Sequence, residues 1–241
     1  MPKYYFAPDD LCGSTISIKN ETAHHLLHVL RIKKGDTLIL CDGQKTDYTA
    51  TVTEVNKKPH TVILNISATC LPSPSGTEPA TKITLYQSLP KGDKLNLIIQ
   101  KCIELGIHEI IPVETTRSVV KAKTQKNERH QKIAASAAGQ SMRGIIPMVR
   151  ETLFFKDALK TIEGTTIVAY EDEQTTILKV ALADKPKCIS LWIGPEGGFT
   201  NEEINALKAT GAITVTLGKR ILRTETAAIA ATAQILCLLE E

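Results

Sequence analysis

The rhythm of apolar and polar positions changes near residue 70. Before that point the period is two. Thr15 to Ile18 and Thr37 to Cys41 are short β-like runs, Thr46 to Val55 alternates, and Thr61 to Ala68 alternates with Val62, Leu64 and Ile66 on one face. Asp42-Gly43 between two of these runs is a hairpin turn signal. One helical stretch, Glu21 to Arg31, interrupts the strands and ends before Lys33-Lys34-Gly35. Short strands separated by turn signals predict a small β-barrel over residues 1–71.

Leu71 to Pro79 has three prolines in nine residues and no hydrophobic period, so residues 72–80 read as a linker. Beyond it, residues 81–241 alternate strand-like and helical patterns. Lys82 to Ser88 predicts a strand. Asp93 to Leu105 predicts a helix, with Leu95, Ile98, Ile99, Cys102 and Leu105 on one stripe and Gly106 as its stop. Glu109 to Val113, Thr165 to Tyr170, Cys188 to Ile193 and Ile213 to Leu217 predict further strands. Lys126 to Met142, Lys156 to Ile162, Asn201 to Ala209 and a final stretch from a Thr224 cap to about Leu239 predict helices. Thr200 with Glu203 forms a capping-box signature. The alternation predicts an α/β domain with a mainly parallel sheet and helices on its faces.

In such a sheet, ligands bind at loops leaving the carboxyl ends of strands. Two loops of this type carry the most unusual residues: Ile193-Gly-Pro-Glu-Gly-Gly-Phe199 and Leu217-Gly-Lys-Arg-Ile-Leu-Arg-Thr-Glu-Thr-Ala227. Tyr170 to Glu173 is expected at the same sheet end. Neither glycine loop matches a phosphate-cradling G-x-x-x-x-G-K-[ST] or G-x-G-x-x-G motif, so a ligand held by its triphosphate or pyrophosphate is not expected.

Charge and cysteine usage sharpen the picture. Net charge is +3, but Arg117 to Arg150 holds eight Lys or Arg against one acid, Glu128, whereas Glu151 to Asn205 holds ten acids against five bases. A basic block in a nearly neutral chain suggests a polyanion-docking surface. The six cysteines form no C-x-x-C pair, and neither a long apolar run nor a signal-peptide core is present, so a cytoplasmic protein outside the membrane is expected. His24 and His28 stand i, i+4 beside His25, yet no carboxylate follows in zincin spacing and no cysteine is near. They read as helix-face histidines, and no metal is expected. The small-residue positions Ala227, Ala228, Ala230, Ala231 and Ala233 fit either a buried helix or a close subunit contact.

Leu89-Pro-Lys-Gly-Asp93, Gln100-Lys-Cys-Ile-Glu-Leu-Gly106, Glu128-Arg-His-Gln-Lys-Ile-Ala134 and the two glycine loops resemble the bacterial 16S ribosomal RNA uridine N3-methyltransferases of the RsmE type, in the SPOUT class. His24-His-Leu-Leu-His-Val-Leu-Arg31 is similar to that family's N-terminal helix. The resemblance implies a PUA-like RNA-binding barrel, a C-terminal domain with a trefoil knot, an S-adenosylmethionine site in that knot, and a homodimer acting on 16S rRNA or the 30S subunit. Four positions depart from the family pattern: Lys3 stands for an arginine, His130 for a tryptophan, Gly139 for a glutamate and Met142 for a glycine.

The expected cofactor site comprises Tyr170, Glu171, Ile193, Gly194, Pro195, Glu196, Gly197, Gly198, Leu217, Gly218, Arg220, Ile221, Leu222, Thr226 and Ala227. Expected RNA contacts are Lys3, Arg31, Lys91, Arg117, Arg129 and Arg143. Methylation at uridine N3 displaces a proton. Arg223 is the candidate stabiliser of the uracil anion, and Glu225 either orients that arginine or accepts the proton; a plain loop salt bridge between them is the simpler reading. A non-catalytic RNA-binding protein is the rival, and a thermal shift with S-adenosylmethionine separates the two.

Overall fold

The computed structural model describes residues 3–44, 46–70, 77–121 and 128–240. The chain divides into two compact units, Met1–Glu78 with Ala138–Ile146, and Pro79–Ala137 with Pro147–Glu241. Residues 72–76 of the expected linker, and the expected helix start at Lys126, lie outside the described residues.

The first unit contains β1 (Tyr4–Tyr5), β2 (Leu11–Cys12), β3 (Thr15–Lys19), α1 (Asn20–His28), β4 (Thr37–Cys41), β5 (Asp47–Lys57) and β6 (His60–Cys70). Its strands form a mixed half-barrel in the order β1-β4-β5-β6-β3-β2. The period-two faces meet in a core that includes Ile16, Leu26, Leu40, Val52 and Leu64. The turn at Asp42-Gly43 forms as expected. Gly43 has φ +72°, and the Asp42 carboxylate accepts the N–H groups of Gln44 (2.6 Å) and Thr46 (3.1 Å). Helix α1 stops three residues before the expected Arg31. Leu30 N–H bonds back to His25, Ile32 N–H bonds back to Leu26, and Arg31 between them is left-handed at φ 55°. Ile32 thereby returns to the core after the helix, whereas Val29 and Leu30 stay exposed.

The sequence boundary missed the return of Ala138–Ile146 to this unit. Hydrogen bonds and an ion pair hold it. Lys3 N–H donates to Gly139 O at 3.1 Å, and the Tyr5 hydroxyl donates to Arg143 O at 2.7 Å. The Arg143 guanidinium pairs with Glu78 through Nε–Oε1 (3.2 Å) and Nη2–Oε2 (2.6 Å). A Cβ at Gly139 would lie 2.6 Å from Lys3 O, so no side chain fits there without a shift.

The second unit contains β7 (Lys82–Ser88), α2 (Lys94–Leu105), β8 (Glu109–Glu114), most of α3 (Glu128–Gln140), β9 (Met148–Val149), β10 (Leu153–Phe154), α4 (Phe155–Ala158), β11 (Thr165–Ala169), α5 (Leu178–Ala181), β12 (Cys188–Ile193), α6 (Asn201–Ala209), β13 (Ile213–Val215) and α7 (Thr224–Leu239). The sheet runs β10-β8-β7-β12-β11-β13, with β9 also on β8. Every pairing is parallel, so all carboxyl ends share one edge. Strand β12 is central and buried from Ile189 to Ile193, which explains its continuous apolar run. Trp192 on β12 stacks on Tyr86 of the neighbouring β7, with centroids 4.4 Å apart and planes 3° from parallel. On α2 the stripe is corrected at its end: Ile103 is buried and Leu105 is 38% exposed, because the i, i+4 partner of Ile99 is residue 103. Short β9, β10 and α5 carried too little periodicity to be read from sequence.

Candidate active site

Because the sheet is parallel, the loops after β7, β11, β12 and β13 emerge together along four adjacent strands. Hydrogen bonds tie these loops to one another. Thr224, expected to cap α7, instead begins the helix after an Arg223 N-cap. Its hydroxyl donates to Gly194 O at 2.6 Å and accepts from Gln87 Nε2 at 3.0 Å. One buried threonine thereby joins the end of β7, the first glycine loop and the last helix.

The first glycine loop is a tight turn, closed by Gly198 N–H to Pro195 O at 3.0 Å. Gly198 has φ +69°, and a Cβ there would run into the Glu171 carboxylate from the β11 loop. Glycine is therefore favoured here by its backbone conformation, and any side chain would also have to displace the Glu171 carboxylate. Gly197 differs: a Cβ would meet only the Arg117 side chain, at 3.5 Å. Arg117 Nη1 donates to Gly197 O (2.7 Å) and Phe199 O (3.2 Å), so this expected RNA contact braces the loop from outside. The capping box forms. Thr200 N–H donates to Glu203 Oε2 (2.9 Å), Glu203 N–H donates to Thr200 Oγ1 (3.3 Å), and Glu203 Oε1 accepts from Thr116 N–H (2.8 Å).

Lys94, at the start of α2, sits between two carboxylates: Glu196 Oε1 at 2.8 Å and Glu225 Oε2 at 3.3 Å. The second contact is an ion pair without hydrogen-bond geometry, since Glu225 Oε2 is buried with no hydrogen-bond partner. Glu196 Oε1 also accepts Lys91 N–H at 3.1 Å. Its carboxyl is pushed up by desolvation, but Lys94 and the backbone N–H groups outweigh this and hold it below the usual range. Lys94 is raised, first by its bond to Glu196. The partner of Glu225 is therefore Lys94 and not Arg223. Arg223 is exposed, and among the described residues it has no ion-pair partner.

In the β11 loop, the Tyr170 hydroxyl donates to Asp172 at 2.9 Å, and Tyr170 N–H donates to Val215 O at 3.1 Å. Glu173 accepts from Thr175 N–H (3.0 Å), Thr175 Oγ1 (2.7 Å), Thr176 N–H (3.0 Å) and Thr214 Oγ1 (2.9 Å). These donors pull its carboxyl down to about 2. In the β13 loop Gly218 is at φ +115°, Arg220 is exposed, Leu222 is half-buried, and Ile221 is 89% exposed. Thr226 is exposed and Ala227 half-buried on the first turns of α7.

Sequence reasoning missed two residues at this edge. Gln87 Oε1 and Ser88 Oγ, at the end of β7, are buried without hydrogen-bond partners. Unsatisfied buried acceptors are costly, so they mark a place where a ligand can complete the bonding. Their apolar-looking strand context hid them. Beside them a cleft of about 250 Å³ is lined by Leu89, Pro90, Gly92, Asp93, Arg129 and His130, among others. Burial, then Arg129, pushes His130 down, so it is a neutral ring at pH 7.

The expected RNA contacts divide. Arg31 and Lys91 are exposed, and Arg129 is exposed with only a loose 3.8 Å contact to Asp93. Lys3 and Arg143 are corrections. The Lys3 side chain is buried against Asp47 at 2.8 Å, and the Arg143 side chain is 2% exposed against Glu78. Both are internal counter-ions, with no face left for a phosphate.

The geometry defines an α/β domain with a candidate ligand site at the carboxyl edge of a parallel sheet. An RNA methyltransferase domain model matches residues 77–236, and an RNA methyltransferase PUA domain model matches residues 18–64. The ribosomal RNA small subunit methyltransferase E of Bacillus subtilis is 36% identical over 236 residues, covering 92% of this chain and 89% of its own. A crystal structure of ribosomal RNA small subunit methyltransferase E from Neisseria gonorrhoeae, bound to S-adenosyl methionine, superposes with TM-score 0.85 at 33% identity, over 99% of this chain and 98% of that one. A Legionella pneumophila putative methyltransferase in complex with SAM gives TM-score 0.87 at 29% identity, over 98% and 96%. The chain belongs to this RNA methyltransferase family, the ribosomal RNA small subunit methyltransferases E.

Proposed function

We propose that the protein transfers a methyl group from S-adenosylmethionine to N3 of a uridine in 16S rRNA. The observation that carries the reading is the Thr224 junction. It fixes two glycine loops and the end of β7 around unsatisfied buried acceptors, while leaving Arg223 exposed at the same edge and, among the described residues, without an ion-pair partner.

The residues present fit the cofactor. Gly194 and Gly198 leave the backbone uncovered where a side chain would press on Phe199 or Glu171, Ile221 and Leu222 offer apolar surface, and the Gln87 and Ser88 oxygens can accept hydrogen bonds from an adenosyl or amino group. When bound, S-adenosylmethionine supplies an electrophilic methyl group. The protein's part is alignment and charge. Arg223 offers a cation to the uracil oxygens as N3 loses its proton. Glu225, through Lys94 and Glu196, holds α2, α7 and the first glycine loop in one arrangement. The cleft beside Pro90 and His130 is the receiving space for the base, and Arg31, Lys91 and Arg129 supply contacts to RNA phosphates. The active form is a homodimer, and the β13 loop and α7 form part of a trefoil knot. These two statements rest on the family resemblance.

The test is methylation of 16S rRNA and of 30S subunits with radiolabelled S-adenosylmethionine, followed by primer extension. N3 methylation blocks base pairing, so reverse transcriptase stops at one position. Label incorporation without a stop would place the methyl group elsewhere on the RNA. Absence of incorporation, with no thermal shift on adding S-adenosylmethionine, would leave an RNA-binding protein only.

A further inference from the structure

Three of the chain's six histidines converge within the first unit, on elements that carry none of the glycine-loop residues. His24 and His28 lie one turn apart on α1, on the same face. His60 opens β6 from a distant part of the sequence, and α1 packs across β6. One nitrogen from each ring lies within 4.8 Å of the other two. His28 Nε2 is 3.1 Å from His60 Nε2. The rings surround the gap: His24 and His28 have centroids 4.4 Å apart, and His60 stands edge-on to both, at 4.9 and 5.1 Å.

A surface assembles three imidazoles at a cost. Lys57 adds to the positive potential around them. Imidazole nitrogens turned toward one another are ready electron-pair donors. In a tetrahedral site with metal–nitrogen bonds of about 2.0–2.1 Å, donor nitrogens stand roughly 3.3 Å apart. The His28–His60 spacing already matches this, and a side-chain rotation of His24 on the exposed helix face supplies the third ligand. Imidazole suits borderline first-row cations, not calcium or magnesium.

We propose that His24, His28 and His60 form a three-histidine site for a divalent transition-metal cation of the zinc class. Three protein donors leave a coordination position for water. The bound cation links the end of α1 to the start of β6 and so binds the folded unit in preference to the unfolded chain. The histidine spacing on α1 alone did not reveal the site, because the third ligand is 32 residues away.

The experiment uses the full-length chain without an affinity tag. Titration with Zn²⁺ by calorimetry, and with Co²⁺ by visible absorption, should show one cation per chain with micromolar or tighter affinity. The cobalt spectrum should have d–d bands and no thiolate charge-transfer band. His60→Ala and His24→Ala, each checked for an unchanged metal-free melting curve, should each weaken binding at least tenfold, and His25→Ala should leave it unchanged. Zn²⁺ should raise the melting temperature of the wild type and not of His60→Ala. The absence of saturable binding would overturn the proposal. So would undiminished binding in both ligand variants, or a thiolate band, which would assign the cation to exposed Cys12, Cys188 or Cys237.

Discussion

Adjacent glycines in the first loop give opposite expectations, and the contrast tests how that loop works. Gly198 sits at φ +69°, and an added Cβ would overlap the Glu171 carboxylate. Alanine there costs about 1–2 kcal/mol for the left-handed backbone. The clash adds little, because Glu171 is exposed and its far end can swing outward. For a domain of this size each kcal/mol lowers the melting temperature by roughly 2–4 °C, so Gly198→Ala should melt roughly 2–8 °C below wild type. At Gly197 the backbone is unstrained and the nearest atoms are Arg117 carbons at 3.5 Å. Gly197→Ala should therefore stay within about 0.5 kcal/mol of wild type. Binding should split differently. Displacing Glu171 and the Pro195–Gly198 turn should weaken S-adenosylmethionine more than tenfold, about 1.4 kcal/mol, in Gly198→Ala. Calorimetry with scanning melts on both variants is the assay. If Gly198→Ala keeps both wild-type melting and wild-type cofactor affinity, the turn is not part of the site. If Gly197→Ala loses affinity with its melting intact, the ligand itself approaches the Gly197 backbone.

Arg223→Ala should lower kcat far more than cofactor affinity, if its charge acts on the developing uracil anion; equal losses would assign it to cofactor binding. Arg143→Ala removes one partner of a buried pair, a change costing about 3–5 kcal/mol. Because Glu78 keeps backbone donors from Gly144 at 2.9 Å and is 19% exposed, the lower end is expected, read as faster amide exchange along β4 and β5. Arg129→Ala should flatten the salt dependence of RNA binding by about one phosphate contact with the melting curve unchanged, and an unaltered slope would make the basic stretch a solvated face. Glu173 is held at about 2 against an ordinary 4.5. Its stabilisation is complete above the unfolded value and is lost as pH falls through the window toward about 2, so Glu173→Gln should melt less steeply with acidification across that window than wild type.

The strands and the glycine loops were legible because burial on both faces writes itself as a continuous apolar run. Cys188–Ile193 and Lys82–Ser88 match their predicted bounds for that reason, and Thr37–Cys41 matches through its half-buried alternation. The parallel pairing then brings the loop ends together with no further information. Charge was the poorest guide. Lys3, Arg143 and Arg117 look alike in sequence, as surface cations in a basic chain. Which of them is a buried counter-ion depends on acids far along the chain: Asp47 for Lys3 and Glu78 for Arg143. Arg117 answers to carbonyls 80 and 82 residues away. No local pattern encodes those partners. The unsatisfied acceptors of Gln87 and Ser88 were hidden for the converse reason: polar residues closing a strand read as its end, and only the packed structure shows that water is kept from them.

The Arg223–Glu225 pair shows how backbone conformation separates two charges that sequence places together. Arg223 is extended, at φ −66° and ψ 153°, whereas the chain is helical from Thr224 onward. Two residues apart across that break, the side chains diverge. Glu225 turns into the body of the domain to meet Lys94, and Arg223 turns to solvent. A direct salt bridge would have neutralised the cation before substrate arrived. Thr224 lies between them, its hydroxyl committed to Gly194 at 2.6 Å, and fixes where the helix begins. Removing that hydroxyl while keeping the side chain's shape, as in Thr224→Val, should therefore reach beyond its own hydrogen bonds. It leaves Gly194 O and the Gln87 amide without their partner, a loss of about 1–3 kcal/mol, and it frees the helix start that keeps Arg223 apart from Glu225. Turnover should fall with Arg223 itself unchanged. If Thr224→Val lost stability but kept its kcat, the helix start would be set by α7 packing alone, and the threonine would be an ordinary buried bond.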